Sequence, residues 1–153
     1  MIKNQFYCQS KHWPRRIDKI NKIFNKTIKL KNLGFKKKYN YFLNIILTND
    51  REIMKLNYKY KNKKKPTDVL TFITKSKNKH YVNDSFCDIF LSGETLKKDA
   101  KKNNINFYDH FNHILIHSFL HINGFKHKKN KDLMIMQNLE IKMLKKLGIN
   151  KPY

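Results

Sequence analysis

The sequence predicts an α+β fold, with a small mixed β-sheet and helices around it. Several segments place an apolar residue at every third or fourth position, which is typical of amphipathic helices. Between them lie compact apolar runs with the length and β-branched content of buried strands. Because strands and helices alternate without a fixed repeat, we expect a layered architecture and a single domain over residues 1–153.

The strands and helices are predicted as follows. Three short apolar runs, at 41–47, 69–73 and 86–91, read as strands. An amphipathic helix is expected over 15–33, and a short helix over 53–56 is preceded by the capping candidates Thr48, Asn49 and Asp50. Ser92 is expected to cap a third helix. Two further helices are predicted over 107–122, where Gly124 ends the pattern, and over 133–147.

The composition bounds the cellular setting and the partners. Lys and Arg total 34 against 11 Asp and Glu, a formal net charge of +23, which favours a polyanionic partner. The lysines are spread along the whole chain, so a general compositional bias explains the excess equally well. Cys8 and Cys87 lie far apart without a C-x-x-C pair, which argues against a disulfide framework and a thiolate metal site. No apolar run has the length of a signal peptide or a membrane span, so we expect a cytoplasmic protein that does not contact membranes.

Histidines are concentrated in one segment. Five of the seven fall within residues 110–127, at positions His110, His113, His117, His121 and His127. Residues four apart share one face of a helix, and a left-handed Gly124 would turn the chain back over that face. The spacing H-x3-H-x5-H therefore predicts that His117, His121 and His127 bind one Zn²⁺ and leave its fourth position open, as catalytic zinc sites require. The alternative is that these histidines are partly buried polar residues of an amphipathic helix.

The helical rise decides between His113 and His127 as the third ligand. Three successive turns extend over roughly 12 Å, too far for His113 to share an ion with the other two. We therefore expect His113 to have a structural or orienting role, and His110 to lie on the surface. Ser118 stands where H-E-x-x-H metalloproteases carry their glutamate base, which argues against peptide hydrolysis.

A second informative segment is the Lys/Tyr-rich stretch L-N-Y-K-Y-K-N-K-K-K-P-T-D-V-L-T-F at 56–72. Lysines can hold phosphates as point charges, and tyrosine rings can stack on bases. By itself such a run is more often a solvated surface than a functional one.

Together the two segments resemble the YbeY family of metal-dependent endoribonucleases, which act as rRNA maturation factors. The stretch H-S-F-L-H-I-N-G-F-K-H at 117–127 is similar to the family pattern H-G-x-L-H-L-x-G-Y-D-H. Residues 56–72 resemble the family's L-N-x-x-Y-R and P-T-(N/D)-V-L-S-F segments, and C-D-I-F-L-S at 87–92 resembles its strand G-D-I-V-I-S. The resemblance extends over approximately residues 43–153.

The resemblance implies one Zn²⁺ per chain and cleavage of single-stranded RNA in small-subunit rRNA 3′-end maturation and ribosome quality control, with ribosome-associated proteins as further partners. Lys61, at the position of a family arginine thought to assist catalysis, is the catalytic candidate. Lysine keeps the charge but loses the bidentate fork. Asp88, Thr67, Asp68 and His113 are candidates for orienting a ligand or binding substrate, with a capping or turn role open for Asp88. Ser118 and Lys126 depart from the family pattern, which has Gly and Asp there.

Two other functions fit the same residues. One is a non-catalytic RNA-binding ribosome-assembly factor in which the metal only ties the Gly124 turn to the helix. The other is a zinc-dependent hydrolase of another substrate. Imidazole also suits Ni²⁺ and other divalent ions, and the oligomeric state is not defined by the sequence.

Overall fold

The computed structural model of the protein describes residues 1–150. Within it the chain forms two compact units, residues 1–15 with 35–95, and residues 16–34 with the chain from Leu96 onward. The single domain over residues 1–153 stays a prediction.

The first unit is built on a four-stranded mixed sheet. Its strands are β1 (Ile2–Cys8), β2 (Asn40–Thr48), β3 (Val69–Lys75) and β4 (Asp84–Ser92), in the order β1-β2-β4-β3. β1 and β4 both pair with β2 in parallel, whereas β3 pairs with β4 antiparallel. The predicted strands are confirmed as β2, β3 and β4, and the α+β fold with a small mixed sheet is confirmed.

β1 was not predicted, and its composition explains why. It is an edge strand whose residues Lys3, Asn4 and Gln5 are all exposed, so the sequence shows no apolar run there. Its pairing with β2 depends on backbone hydrogen bonds across the sheet, which do not require apolar side chains.

One face of the sheet supplies the core of this unit. Leu43, Ile45, Ile89 and Leu91 alternate along the two central strands and are essentially inaccessible to solvent. Cys87 lies on the same face, where burial, followed by the charge of Asp88, raises the pKa of its thiol to about 12. Cys8 and Cys87 are both free thiols.

The helix α2 (Asp50–Lys61) follows β2 and is longer than the short helix predicted there. The side chain of Asn49 caps it by accepting a hydrogen bond from the backbone N–H of Glu52 at 3.0 Å. At its other end Asn62 adopts a left-handed conformation, φ 53°, which terminates the helix.

The second unit is helical. It contains α1 (Ile17–Thr27), α4 (Phe107–Ile122) and α5 (Asn130–Lys146), and α3 (Gly93–Lys102) leads into it from the sheet. α4 has the predicted bounds, α5 begins three residues early, and α1 stops at Thr27, so the predicted helix over 15–33 is too long. α4 packs against α1 and α5, with Phe24 of α1 edge-on to Phe119 at a centroid distance of 5.7 Å. Among residues 1–150, no helix is long and apolar enough to cross a membrane.

Candidate metal centre

The end of α4 positions the predicted ligands. His117 and His121 lie one turn apart, and their ring centroids are 4.5 Å from each other. Gly124, with a φ of +94°, takes the left-handed conformation expected of it and reverses the chain. The backbone N–H of Phe125 then donates to the Leu120 carbonyl at 3.0 Å, which closes the turn over the helix end.

The turn is fastened to the segment after α1. The Nδ2 atom of Asn123 donates to the Leu33 carbonyl at 2.8 Å and to the Phe119 carbonyl at 2.9 Å. Gly34 approaches so closely that a Cβ atom there would lie 2.9 Å from Cβ of Asn123. The path of the chain toward His127 is therefore fixed by contacts as well as by the glycine turn.

The three predicted ligands meet as expected. One ring nitrogen from each of His117, His121 and His127 lies within 4.8 Å of the other two. His117 and His121 are half-buried, whereas His127 is exposed. The group is thus supported by α4 on one side and accessible to solvent at His127.

Hydrogen bonds at the far side of two rings fix their tautomers. Nδ1 of His117 lies 2.6 Å from Oε1 of Glu140, and Nδ1 of His121 lies 3.0 Å from the Phe125 carbonyl oxygen. A carbonyl and a carboxylate only accept hydrogen bonds, so both Nδ1 atoms carry the proton and donate it. In its neutral form each of these rings therefore presents the Nε2 lone pair, as metal-binding imidazoles do.

The distance between those lone pairs tests whether a metal fits. Nε2 of His117 and Nε2 of His121 are 3.0 Å apart. That separation suits an Nε2–H···Nε2 hydrogen bond when one ring is protonated, whereas a tetrahedral Zn²⁺ at about 2.0–2.1 Å from each nitrogen would hold two neutral rings roughly 3.4 Å apart. The group is therefore capable of holding a metal ion when its imidazoles are neutral.

Glu140 of α5 is a site residue that the sequence analysis missed. Its side chain is 1% exposed, and its second oxygen, Oε2, accepts from Nε2 of His113 at 2.9 Å. One buried carboxylate thus joins His113 to His117, and the orienting role of His113 toward a metal ligand stays a prediction. The available signal was helical spacing, because Glu140 continues the buried stripe of α5 formed by Met136, Glu140, Met143 and Leu144.

The remaining histidine-segment residues are also placed. His110 is 8% exposed, so its expected surface position is wrong; the face of α4 that carries it is buried. Ser118 is fully buried and donates to the Ile114 carbonyl at 3.0 Å, so its hydroxyl is engaged by the helix backbone.

Lys61 and its neighbours lie in the sheet unit. Lys61 is the last residue of α2 and is exposed, as are Lys63, Lys64 and Lys65. Buried Asn57 ties this segment down, because its Nδ2 atom donates to the Lys65 carbonyl at 2.9 Å and its own carbonyl accepts from the backbone N–H of Lys63 at 3.2 Å.

Thr67, Asp68 and Asp88 take part in local contacts of the same unit. Oδ1 of Asp68 accepts from the backbone N–H of Val69 at 2.7 Å and lies 3.2 Å from the Thr67 hydroxyl, at the start of β3. Oδ1 of Asp88 accepts from Nδ2 of Asn44 at 2.8 Å, across neighbouring strands. Their roles toward a metal ligand or substrate, and that of Lys61, stay predictions.

Comparison with known proteins gives a consistent picture. The family model described as Endoribonuclease YbeY matches residues 5–148. Endoribonuclease YbeY of Ehrlichia ruminantium (strain Gardel) is 40% identical over 145 residues, which are 94% of this chain and 90% of that protein. The protein of the same name from Ehrlichia chaffeensis is 40% identical over 116 residues, 75% of this chain and 73% of its own length.

Among solved structures, the solution structure of TM1509 from Thermotoga maritima matches with a TM-score of 0.55. It is 22% identical and covers 94% of this chain and 89% of its own, so this likeness supports the fold alone. The family model goes further, since its match includes the histidine turn and the basic segment, and the two relatives match most of the sequence. On this evidence the chain belongs to the endoribonuclease YbeY family.

Proposed function

We propose that the protein is a zinc-dependent endoribonuclease that cleaves single-stranded RNA in the cytoplasm, in small-subunit rRNA 3′-end maturation and ribosome quality control. Membership of the family supports RNA as the substrate. The observation that carries the proposal is the grouping of His117, His121 and His127, in which the Nε2 atoms of the first two lie 3.0 Å apart and each of those two rings is oriented by a hydrogen bond at Nδ1.

Three histidines would hold the ion, and a bound Zn²⁺ would supply a Lewis acid for phosphate chemistry at neutral pH. Glu140 orients the His117 ring and makes it a better electron donor, because its carboxylate accepts the Nδ1 proton. The Phe125 carbonyl orients His121 in the same way. His127, exposed and on the turn, lies at the side where a substrate can approach.

The basic segment would supply charge. The side chain of Lys61 is exposed and therefore accessible to a phosphate, so we assign it the neutralisation of charge on the phosphoryl oxygens. Ser118 is excluded as a nucleophile or base, because its buried hydroxyl bonds to the helix.

The metal part of the proposal is tested by measuring zinc bound per chain. Wild type should bind one zinc and His121→Ala far less, whereas His80→Ala, which removes an exposed histidine of the sheet unit, should match wild type. Equal zinc in wild type and His121→Ala would overturn the assignment of the ligands.

The activity is tested with a labelled single-stranded RNA, with and without a chelator. We expect cleavage that disappears with chelator, returns with zinc, and is much slower on the same RNA within a duplex. RNA binding without metal-dependent cleavage would instead support a non-catalytic assembly factor. Cells that lack the protein should accumulate small-subunit rRNA with an unprocessed 3′ end.

A further inference from the structure

The sheet of the first unit has a second face that is only partly covered. Residues paired in register on neighbouring strands point to the same side of a sheet, so the pairing defines rows that run across all four strands. One row consists of Lys3, Phe42, Phe86 and Thr74, and the next consists of Gln5, Asn44, Asp88 and Phe72. We call these two rows, with Tyr60 of α2, the aromatic band.

The band exposes aromatic rings on the central strands, where soluble proteins usually bury them. Phe42 and Phe86 stack with an interplanar angle of 14° and a centroid distance of 5.0 Å, and Phe86 is 45% exposed. Tyr60 is 57% exposed and contacts Phe72 at 5.0 Å. Rings displayed on a four-stranded sheet are surfaces on which unpaired bases can stack.

Between the two ring pairs lie polar groups suited to base edges. Nδ2 of Asn44 donates to Oδ1 of Asp88, which fixes the orientation of the amide. The side-chain atoms Oδ1 of Asn44 and Oδ2 of Asp88 then remain as acceptors. Acceptors of this kind pair with the amino groups of adenine, cytosine or guanine.

Cations flank the band on both sides. Lys3 lies at the β1 end of its row and is exposed, and Nζ of Lys59 lies 5.2 Å from the centroid of the Tyr60 ring. The band can therefore bind a single strand of nucleic acid. Its rings would stack on bases, Asn44 and Asp88 would accept hydrogen bonds from base edges, and the outer lysines would pair with phosphates. A duplex cannot use the rings in this way, because its bases are already stacked and paired.

We propose that the aromatic band binds two or three unpaired nucleotides of the RNA substrate by stacking, separately from the histidine centre. The proposal rests on the ribonuclease function for the identity of the strand. It adds a reason for a preference for single strands that the three histidines alone do not provide.

The experiment measures the affinity of the zinc-loaded protein for a labelled, unstructured 2′-O-methyl RNA oligonucleotide by fluorescence anisotropy. Phe86→Ala should weaken binding on the order of tenfold, within the range measured when a stacking aromatic is truncated. Phe86→Leu, which keeps apolar bulk without a π-face, should be almost as weak, and Phe86→Trp should bind at least as well as wild type. The control is Tyr81→Ala, since Tyr81 is 58% exposed and lies outside the band.

Melting temperatures of all variants show whether Phe86→Ala remains folded, and Phe86→Leu provides the test if it does not. Wild-type affinity in Phe86→Leu would overturn stacking as the mode of binding. Unchanged affinity in both variants would overturn the band as an RNA site, including the case in which a protein or a second copy of the chain covers it. Duplex affinity should change little in any variant.

Metal-dependent cleavage is measured separately on unmodified RNA, so the two proposals fail independently. If wild type cleaves RNA and Phe86 substitution does not change RNA affinity, the aromatic-band proposal is overturned and the ribonuclease proposal stands. If RNA affinity depends on Phe86 but no cleavage is seen, the aromatic-band proposal stands and the ribonuclease proposal is overturned. If wild type binds no single-stranded RNA, the band is overturned.

Discussion

The imidazoles at the end of α4 and the lysines at the end of α2 differ in what holds their side chains. His117 and His121 are half-buried and each is oriented through Nδ1 by Glu140 or the Phe125 carbonyl. In the basic segment, Asn57 holds the backbone through Lys63 and Lys65, and the lysine side chains extend into solvent. The first region fixes geometry and the second fixes only the position of charge, which suits a metal in one case and flexible phosphates in the other.

The largest effect is expected from Glu140→Gln, which should lower the zinc affinity of the histidine centre. The amide keeps one acceptor oxygen and replaces the other by an NH₂ donor, so either His113 or His117 can no longer donate its ring N–H to residue 140. Loss of such an orienting group typically costs 10- to 100-fold in metal affinity. A competition titration of zinc against a chromophoric chelator measures it, with the exposed Glu52→Gln as control. Wild-type zinc affinity in Glu140→Gln would show that the rings do not need to be oriented.

A smaller effect is expected from Lys61→Ala. An exposed cation is screened by water, so the loss of RNA cleavage rate should be on the order of tenfold, below the 10²- to 10³-fold typical of preorganised donors to a developing negative charge. Lys61→Arg should retain the rate or exceed it, because the guanidinium adds a bidentate contact. Single-turnover cleavage rates decide this, with zinc content unchanged in both variants. A lower zinc content in Lys61→Ala would mean that the two regions are not independent.

The smallest effect is expected from Lys64→Ala, which removes one solvated charge of the same segment. If Lys64 contacts a phosphate of a single strand, the slope of log affinity against log salt should become shallower by about 0.7. The cleavage rate at saturating RNA should stay at the wild-type value. Binding isotherms at several salt concentrations measure the slope, and an unchanged slope would assign Lys64 to solvation only.

The sequence was sufficient for the parts of the fold that depend on local pattern. The bounds of α4 follow from its apolar periodicity and from Gly124, and the meeting of His117, His121 and His127 follows from helical geometry plus one reversal. β1 was missed because an exposed edge strand carries no apolar pattern.

Glu140 was missed for a different reason. A single acidic residue in a helix looks like a surface position, and its partner histidines lie 27 and 23 positions earlier in the chain. Only the packing of α5 against α4 shows that this carboxylate is buried and reaches both histidines. Patterns within one element reveal ligands on that element, whereas Glu140, which orients His117, comes from another helix.

The contact between Gly34 and Asn123 couples two positions with no chemistry of their own. Gly34 has a φ of +92° and leaves no room for a methyl group, while its neighbour Leu33 accepts a hydrogen bond from Asn123, 90 positions later in the chain. A substitution of Gly34 should therefore displace the turn that carries His127 and weaken metal binding, although residue 34 is far from every ligand in the sequence. Because a φ of +92° disfavours any side chain whatever the space around it, we expect glycine at position 34 among related chains.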